Sequence, residues 1–171
     1  MRSVYSYAML FVVCLSYGQN SNVFDIARKG TVAEAQMLLD KDPYAFSALS
    51  PEGFTPLILA CYRGNNDVAA FLISHGSDVN VNSPMGTALM AAVVKGNTEI
   101  AKLLLESKAK PDMADANGTT ALIYAVKFQN SEIIKLLLTH KADKSLLDKD
   151  KKSAFEYATF SGNESIIQLL K

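Results

Sequence analysis

The stretch from Thr55 to Asn80 reads TPLILACYRGNNDVAAFLISHGSDVN, and its landmarks return at a fixed interval along the chain. The opening triplet Thr55-Pro56-Leu57 has counterparts that start at Thr87, Thr120 and Ser153, at intervals of 32, 33 and 33 residues. Other landmarks keep constant offsets from these starts: Ala60, Ala92, Ala125 and Ala158; Gly64, Gly96 and Gly162, with Gln129 in the same register; Asn65, Asn97, Asn130 and Asn163; and Leu72, Leu104, Leu137 and Leu170. This agreement predicts an internal repeat of about 33 residues.

Each landmark has a physical role in a helix-turn-helix unit. Thr or Ser before Pro or Ala marks a helix start, because the hydroxyl accepts a hydrogen bond from an unpaired backbone N–H and Pro is tolerated in the first turn. Glycine permits a left-handed end to the first helix, and the asparagine after it can cap the second. In the second helices we expect a buried stripe at helical spacing: Ile100, Leu103 and Leu104, then Ile133, Leu136 and Leu137.

The pattern of Thr-Pro-Leu, a small alanine, glycine, a leucine pair and a hairpin, seen best from Thr55 to Asn80, resembles the ankyrin repeat. The resemblance implies an all-α solenoid of about five helix-turn-helix repeats with short hairpin loops, at about 22–54, 55–86, 87–119, 120–152 and 153–171. The first repeat, from about Val23, is degenerate and is interpreted as the N-terminal cap. The last carries the polar residues Glu156, Ser161 and Glu164, as a C-terminal cap requires.

Two features depart from the family pattern. The linker before Thr87 is one residue shorter than its neighbours, which does not threaten the fold. The histidine that commonly follows Thr-Pro-Leu is replaced by Ile58, Met90, Ile123 and Glu156. We therefore expect apolar packing where that histidine would brace the turn between repeats.

The first residues predict a cleavable secretory signal. Arg2 precedes an apolar run from Ala8 to Leu15, and the small residues Ser16 and Gly18 follow. We expect a signal peptide at 1–18, a mature domain at 19–171 and a periplasmic or secreted location. The run is shorter than the about 20 residues of a stable membrane anchor, so no stable membrane insertion is expected. A lipoprotein signal ending at Cys14 is the alternative, although Val13 is larger than such a site favours.

Composition narrows the function classes. The chain has 17 basic and 17 acidic residues, and the basic ones are scattered, so nucleic-acid binding is not expected. The sequence contains no phosphate loop, nucleophile elbow or zinc motif, and we predict no catalytic residue, no cofactor and no metal. His75 and His140 lie at equivalent helix ends two repeats apart, which suits capping and not a shared metal. Cys61 occupies a position filled by Val93 and Val126 elsewhere, which predicts burial.

Partner binding is assigned by the resemblance, since ankyrin arrays tend to bind through their hairpin tips and the concave face of the first helices. At the concave positions stand Tyr62, Arg63, Val94, Lys95, Lys127, Phe128 and Phe160, and at the tips stand Phe54, Met85 and Asn117. Aromatic and cationic side chains of this kind suit an acidic or mixed peptide surface. An equally open interpretation is that their stems only shield the helix ends. The lysines and aspartates of 148–152 are expected to form a solvated hairpin.

The sequence thus predicts a protein-interaction module, monomeric on its own and not an enzyme, with an unidentified protein partner. An inhibitor or immunity protein that blocks one exported enzyme or toxin is the alternative, and a passive structural role is a third hypothesis.

Overall fold

The computed structural model describes residues 22–171, so the predicted signal peptide and Cys14 lie outside the described residues. The described part of the chain contains ten α-helices and a single 3-10 turn at Ala45–Ser47, and its only β-bridges are the isolated pairs Ser83–Gly86 and Ala114–Thr120. The helices are α1 Val23–Lys29, α2 Val32–Lys41, α3 Pro56–Arg63, α4 Asn66–Ser74, α5 Ala88–Val94, α6 Thr98–Glu106, α7 Ala121–Lys127, α8 Ser131–Thr139, α9 Ala154–Ser161 and α10 Glu164–Leu170. The predicted all-helical class is confirmed.

The helices form two layers. Consecutive helices pack as pairs, from α1 with α2 to α9 with α10. The first helix of each pair also contacts the first helix of the next pair, and the second helices contact one another in the same way. This arrangement, together with ten helices, is consistent with a solenoid of about five repeats, in which each repeat buries its apolar surface against its neighbours. No helix within residues 22–171 has the length and apolar character needed to cross a membrane.

The predicted caps hold the first helices. The hydroxyl of Thr55 accepts a hydrogen bond from the amide of Ile58 at 3.1 Å, and Thr87, Thr120 and Ser153 do the same three residues ahead of themselves. Thr31 and Ser153 also form capping boxes with Glu34 and Glu156, which satisfy two orphan backbone donors each. These local hydrogen bonds explain why one residue pattern marks the start of a helix in successive repeats.

The helix ends also follow the predicted pattern, with one departure. Gly64, Gly96 and Gly162 have left-handed backbones, and Gln129, in the same register, adopts the same conformation at φ 55° despite its side chain. Asn97, Asn130 and Asn163 cap the second helices through their side chains. Asn65 is the departure, because its side-chain amide instead donates to the carbonyls of Ile26, Ala27 and Gly30 in the first helix pair.

The core runs the length of the array. Leu72, Leu104, Leu137 and Leu170 are all buried, and Ile58, Met90 and Ile123 fill the predicted apolar position while Glu156 stays exposed. Cys61 is 2% exposed, so its predicted burial is confirmed.

The predicted stripe in α6 is wrong at Leu103, which is 38% exposed. Its place in the core is taken by Ala101 and Leu105, which lie beside Ile100 and Leu104. At about 100° per residue, Leu103 points roughly 130° away from the centre of the arc formed by these four residues. The arc is wide because α6 packs against helices on both sides as well as against α5.

Candidate protein-binding surface

Buried polar side chains hold the hairpins in place at the edge of the first helices. Ser50, Ser83, Asp115 and Asp148 occupy the base of successive hairpins and are all buried. The carboxylate of Asp115 accepts hydrogen bonds from the amides of Asn117 at 2.8 Å and Thr119 at 2.9 Å. The hydroxyls of Ser50 and Ser83 accept hydrogen bonds from backbone amides of their own hairpins. Each hairpin tip is therefore tied to its own base.

The two aspartates have a further partner that the serines lack. The hydroxyl of Tyr124 donates to Asp115 at 2.6 Å, and that of Tyr157 donates to Asp148 at 2.6 Å. Burial is the main cause that raises the pKa of Tyr124 to about 12, and the hydrogen bond to Asp115 is the second. The hydrogen bond to Asp148 is the main cause that raises the pKa of Tyr157 to about 12. These bonds fix two aromatic rings against the hairpins.

The prediction of a fully solvated hairpin at 148–152 is therefore wrong for Asp148. Its carboxylate also accepts hydrogen bonds from the backbone amides of Asp150 at 2.9 Å and Lys152 at 3.2 Å. The other residues of this hairpin are exposed. Sequence reasoning missed both aspartate–tyrosine pairs. The signal was present, because both aspartates stand five residues before a helix-start Thr or Ser and both tyrosines four residues after it.

Residues from the first helices and from two hairpins line one cleft of about 250 Å³, which we call the N-terminal cleft. Four of the predicted contact residues, Phe54, Met85, Tyr62 and Arg63, lie in its lining. The complete lining is Arg28, Glu52, Phe54, Leu59, Tyr62, Arg63 and Met85. Hairpin-tip residues and first-helix residues thus form one continuous surface at this end of the array.

The prediction missed Arg28 and Leu59 as members of this cleft. Arg28 stands two residues before Gly30, in the register that Tyr62 holds before Gly64, so its place could have been read from the repeat. Leu59 is a core residue whose edge forms the cleft floor.

The charges of the N-terminal cleft are unevenly paired. Arg28 lies 3.4 Å from the carboxylate of Asp25. The pKa of Glu52 is lowered, chiefly by hydrogen bonding from Ser50 and in part by the positive charge of Arg28. Within residues 22–171 the ion pairs are Arg28–Asp25 and Lys102–Glu106, so Arg63 has no described carboxylate within 4.0 Å. Arg63 is therefore the cation of the cleft that forms no described ion pair.

Lys95 extends this surface along the array. Its ammonium group lies 5.6 Å from the centre of the Tyr62 ring, at a distance typical of a cation–π contact. The neighbouring Val94 is half-buried and does not line the cleft.

The remaining predicted residues lie at the C-terminal end of the array. Lys127 lies 4.5 Å from the centre of the Tyr157 ring, and Lys152 lies 5.6 Å from the same ring and 5.8 Å from that of Phe160. Phe160 is 91% exposed, and Phe128 stacks on Tyr124 with ring centres 6.4 Å apart. Asn117 and Lys127 border a second, more polar cleft of about 230 Å³ beside Asp148.

The groups that could support chemistry have structural roles. His75 Nδ1 lies 2.8 Å from the Phe71 carbonyl and His140 Nδ1 lies 3.0 Å from that of Leu136, so both rings sit at helix ends as predicted. Burial raises the pKa of Cys61 to about 12, which suppresses the reactive thiolate. Among the described residues, no group of three or more His, Cys, Asp or Glu could hold a metal ion.

Comparison with known proteins places these features in a family. A profile described as ankyrin repeats (3 copies) matches residues 23–115 and 89–171. The chain is 31% identical over 101 residues to ankyrin repeat and SAM domain-containing protein 6 of Rattus norvegicus, covering 58% of this chain and 11% of that protein. It is 36% identical over 91 residues to the E3 ubiquitin-protein ligase XBAT33 of Arabidopsis thaliana, covering 52% and 18%.

A third relative is BCL-6 corepressor-like protein 1 of Homo sapiens, which is 36% identical over 95 residues that cover 55% of this chain and 5% of the relative. The chain therefore spans less than a fifth of the length of these three relatives. Ankyrin repeats mediate protein–protein interactions, and profile matches that together run from residue 23 to residue 171 show that this chain belongs to the ankyrin-repeat family.

Proposed function

We propose that the protein is a non-catalytic interaction module of the periplasm or secreted space that binds a protein partner through its first helices and hairpin tips. The observation that carries the proposal is the N-terminal cleft, where Phe54 and Met85 from the hairpins meet Tyr62 and Arg63 from α3. Exposed aromatic, methionine and arginine side chains around a concave site are the composition of binding hot spots. The exported location rests on the signal pattern of residues 1–18.

The test is a cross-linking pull-down from an extract of the compartment in which the protein resides. Wild-type protein is compared with a variant carrying Ser at Tyr62, Arg63, Lys127 and Phe128, which removes two aromatic rings and two cations from the first-helix side. A matched control carries Ser at four exposed residues of the second helices, two apolar and two cationic: Met37, Leu103, Lys102 and Lys135.

We expect a partner that the wild type and the control capture and the first variant loses. Equal capture by all three proteins would contradict binding through the first helices and would favour the interpretation that these side chains only shield helix ends. If the captured partner is an enzyme or toxin whose activity falls on binding, the protein is an inhibitor or immunity protein. Cell fractionation, with sequencing of the mature N-terminus, tests the location and the predicted cut after Gly18.

A further inference from the structure

We infer that the N-terminal cleft receives an acidic peptide segment of the partner, with one apolar side chain in the cleft and carboxylates lying along the cations of the first helices. This inference rests on the proposed function and names the chemistry of the partner at the same site.

The shape of the cleft suits one large apolar side chain. Its volume of about 250 Å³ is smaller than that of most small-molecule pockets, which is about 300–1,000 Å³. Its lining combines the buried Leu59 with Phe54, Tyr62 and Met85, which remain partly exposed. Met85 is 59% exposed, so an apolar side chain that enters the cleft removes a substantial apolar surface from water.

The first helices beyond the cleft carry charges of a single sign. Helices α3, α5 and α7 contain no Asp or Glu, and the charged residues within their ranges are Arg63 in α3 and Lys127 in α7. Lys95, which caps α5, occupies the register of Arg63 in the next repeat. Since the described ion pairs involve other residues, these three cations have no described carboxylate within 4.0 Å. An acidic segment would supply counter-charges to Arg63 and Lys95, whereas Lys127 also interacts at longer range with the carboxylate of Asp148.

The repeat spacing sets the spacing of the carboxylates. Neighbouring helices pack about 10 Å apart, and an extended chain advances about 3.3 Å per residue. A peptide that follows the first helices therefore meets a new cation at about three-residue intervals. The expected segment has one apolar residue at the N-terminal cleft and acidic residues near Arg63, Lys95 and Lys127 in turn.

Glu52 favours a peptide over a nucleic acid in this cleft. Its exposed carboxylate lies among the lining residues, where it would repel a phosphate backbone. A peptide can place its apolar side chain beside Glu52 and direct its carboxylates toward Arg63, Lys95 and Lys127.

The test is an NMR titration of the full-length protein, labelled with ¹⁵N, by short synthetic peptides up to millimolar concentration. The probe has one leucine followed by aspartates at three-residue intervals. Comparison peptides replace every aspartate with lysine or the leucine with serine, and a single-stranded oligo(dT) serves as the polyanion control. We expect the probe to shift the amide signals of Tyr62 and Met85, to bind at least about tenfold more tightly than the lysine peptide, and to weaken as salt rises.

Variants locate the contact. Arg63→Glu should weaken the probe at least about fivefold, because it replaces an attraction with a repulsion. Lys102→Glu reverses an exposed charge on a second helix and should leave the affinity unchanged.

Binding that ignores the charge of the peptide, binding that survives Arg63→Glu, or stronger binding of oligo(dT) would each overturn the inference. If no peptide binds while the pull-down still captures a partner that the first-helix variant loses, the acidic-peptide inference fails and the proposed function stands. If no peptide binds and the pull-down captures no partner, both the acidic-peptide inference and the proposed function fail.

Discussion

Replacing Asp148 by alanine should destabilise the C-terminal part of the array while leaving the helices' own caps intact. The carboxylate accepts three hydrogen bonds, from the amide of Asp150 at 2.9 Å, the amide of Lys152 at 3.2 Å and the hydroxyl of Tyr157 at 2.6 Å. A hydrogen bond to a charged group contributes roughly 1.5–3 kcal/mol, but water can reach the two amides in the variant, so we take about 1 kcal/mol for each bond. The free energy of unfolding should fall by about 3 kcal/mol.

Urea unfolding followed by circular dichroism measures this loss. Asp150→Ala is the matched control, because it removes an exposed carboxylate from the same hairpin and should change stability by less than about 0.5 kcal/mol. Equal stability of the two variants would refute the view that Asp148 holds the hairpin.

The pH dependence provides a second check on Asp148. Burial acts to raise its pKa, and the hydrogen bonds from Tyr157 and from the amides of Lys152 and Asp150 outweigh it, so that the pKa is lowered in the folded protein. A lowered carboxyl pKa contributes stability that is fully present above the unfolded pKa of about 3.9 and is lost as pH falls through the folded pKa. The stability difference between wild type and Asp148→Ala should therefore shrink below about pH 4. A difference that stays constant down to the acid transition would contradict an ionised acceptor.

Three further predictions test the packing and the helix ends of the array. Asn65→Ala removes three hydrogen bonds to the first helix pair, so amide hydrogen exchange in α1 should become faster. An unchanged exchange rate would contradict a stabilising contact between Asn65 and α1. Gln129→Gly should raise the free energy of unfolding by up to about 1 kcal/mol, because it relieves a left-handed residue, whereas Gly96→Ala should lower it by about 1 kcal/mol. In a Cys14→Ser background, the buried Cys61 thiol should react with a disulfide reagent only after unfolding, and rapid reaction of the native protein would contradict its packing.

The local features of the fold were predictable because they depend on neighbours in sequence. A threonine three residues before the amide it caps, or a glycine at a left-handed helix end, acts within one turn of the chain. The same reasoning failed where a residue has a choice of partners. Asn65 sits at a position that can cap α4, but the carbonyls at the end of α1 lie within its reach, and its side-chain amide donates to them. Leu103 fits the spacing of a stripe, but α6 contacts helices on both sides and buries a different arc.

The repeat register predicted which residues belong to the candidate site, but it did not predict which of them lie close together. The repeat placed Tyr62 and Arg63 on the first-helix side, and the structure adds that Phe54 and Met85, from two different hairpins, line the same cleft. Whether residues of two hairpins line the same cleft depends on how far each hairpin folds back over the helices. The link from Lys149 to the carbonyl of Asn117, at 2.9 Å between the backbones of successive hairpins, is a contact of this kind that no single repeat encodes.

The two ends of the binding surface differ because one register position changes character along the array. Four residues after the helix start stand Leu59 and Ala91 in the earlier repeats, and Tyr124 and Tyr157 in the later ones. Where the position is apolar and the hairpin base is serine, as at Leu59, the surface opens into the N-terminal cleft. Where it is tyrosine and the base is aspartate, the hydroxyl fixes the ring, which contacts Phe128 at Tyr124 and Lys127 at Tyr157. Because the fold tolerates either choice, we expect this asymmetry to set the direction of the proposed acidic segment, with its apolar residue toward the N-terminal cleft and its charge toward Lys127.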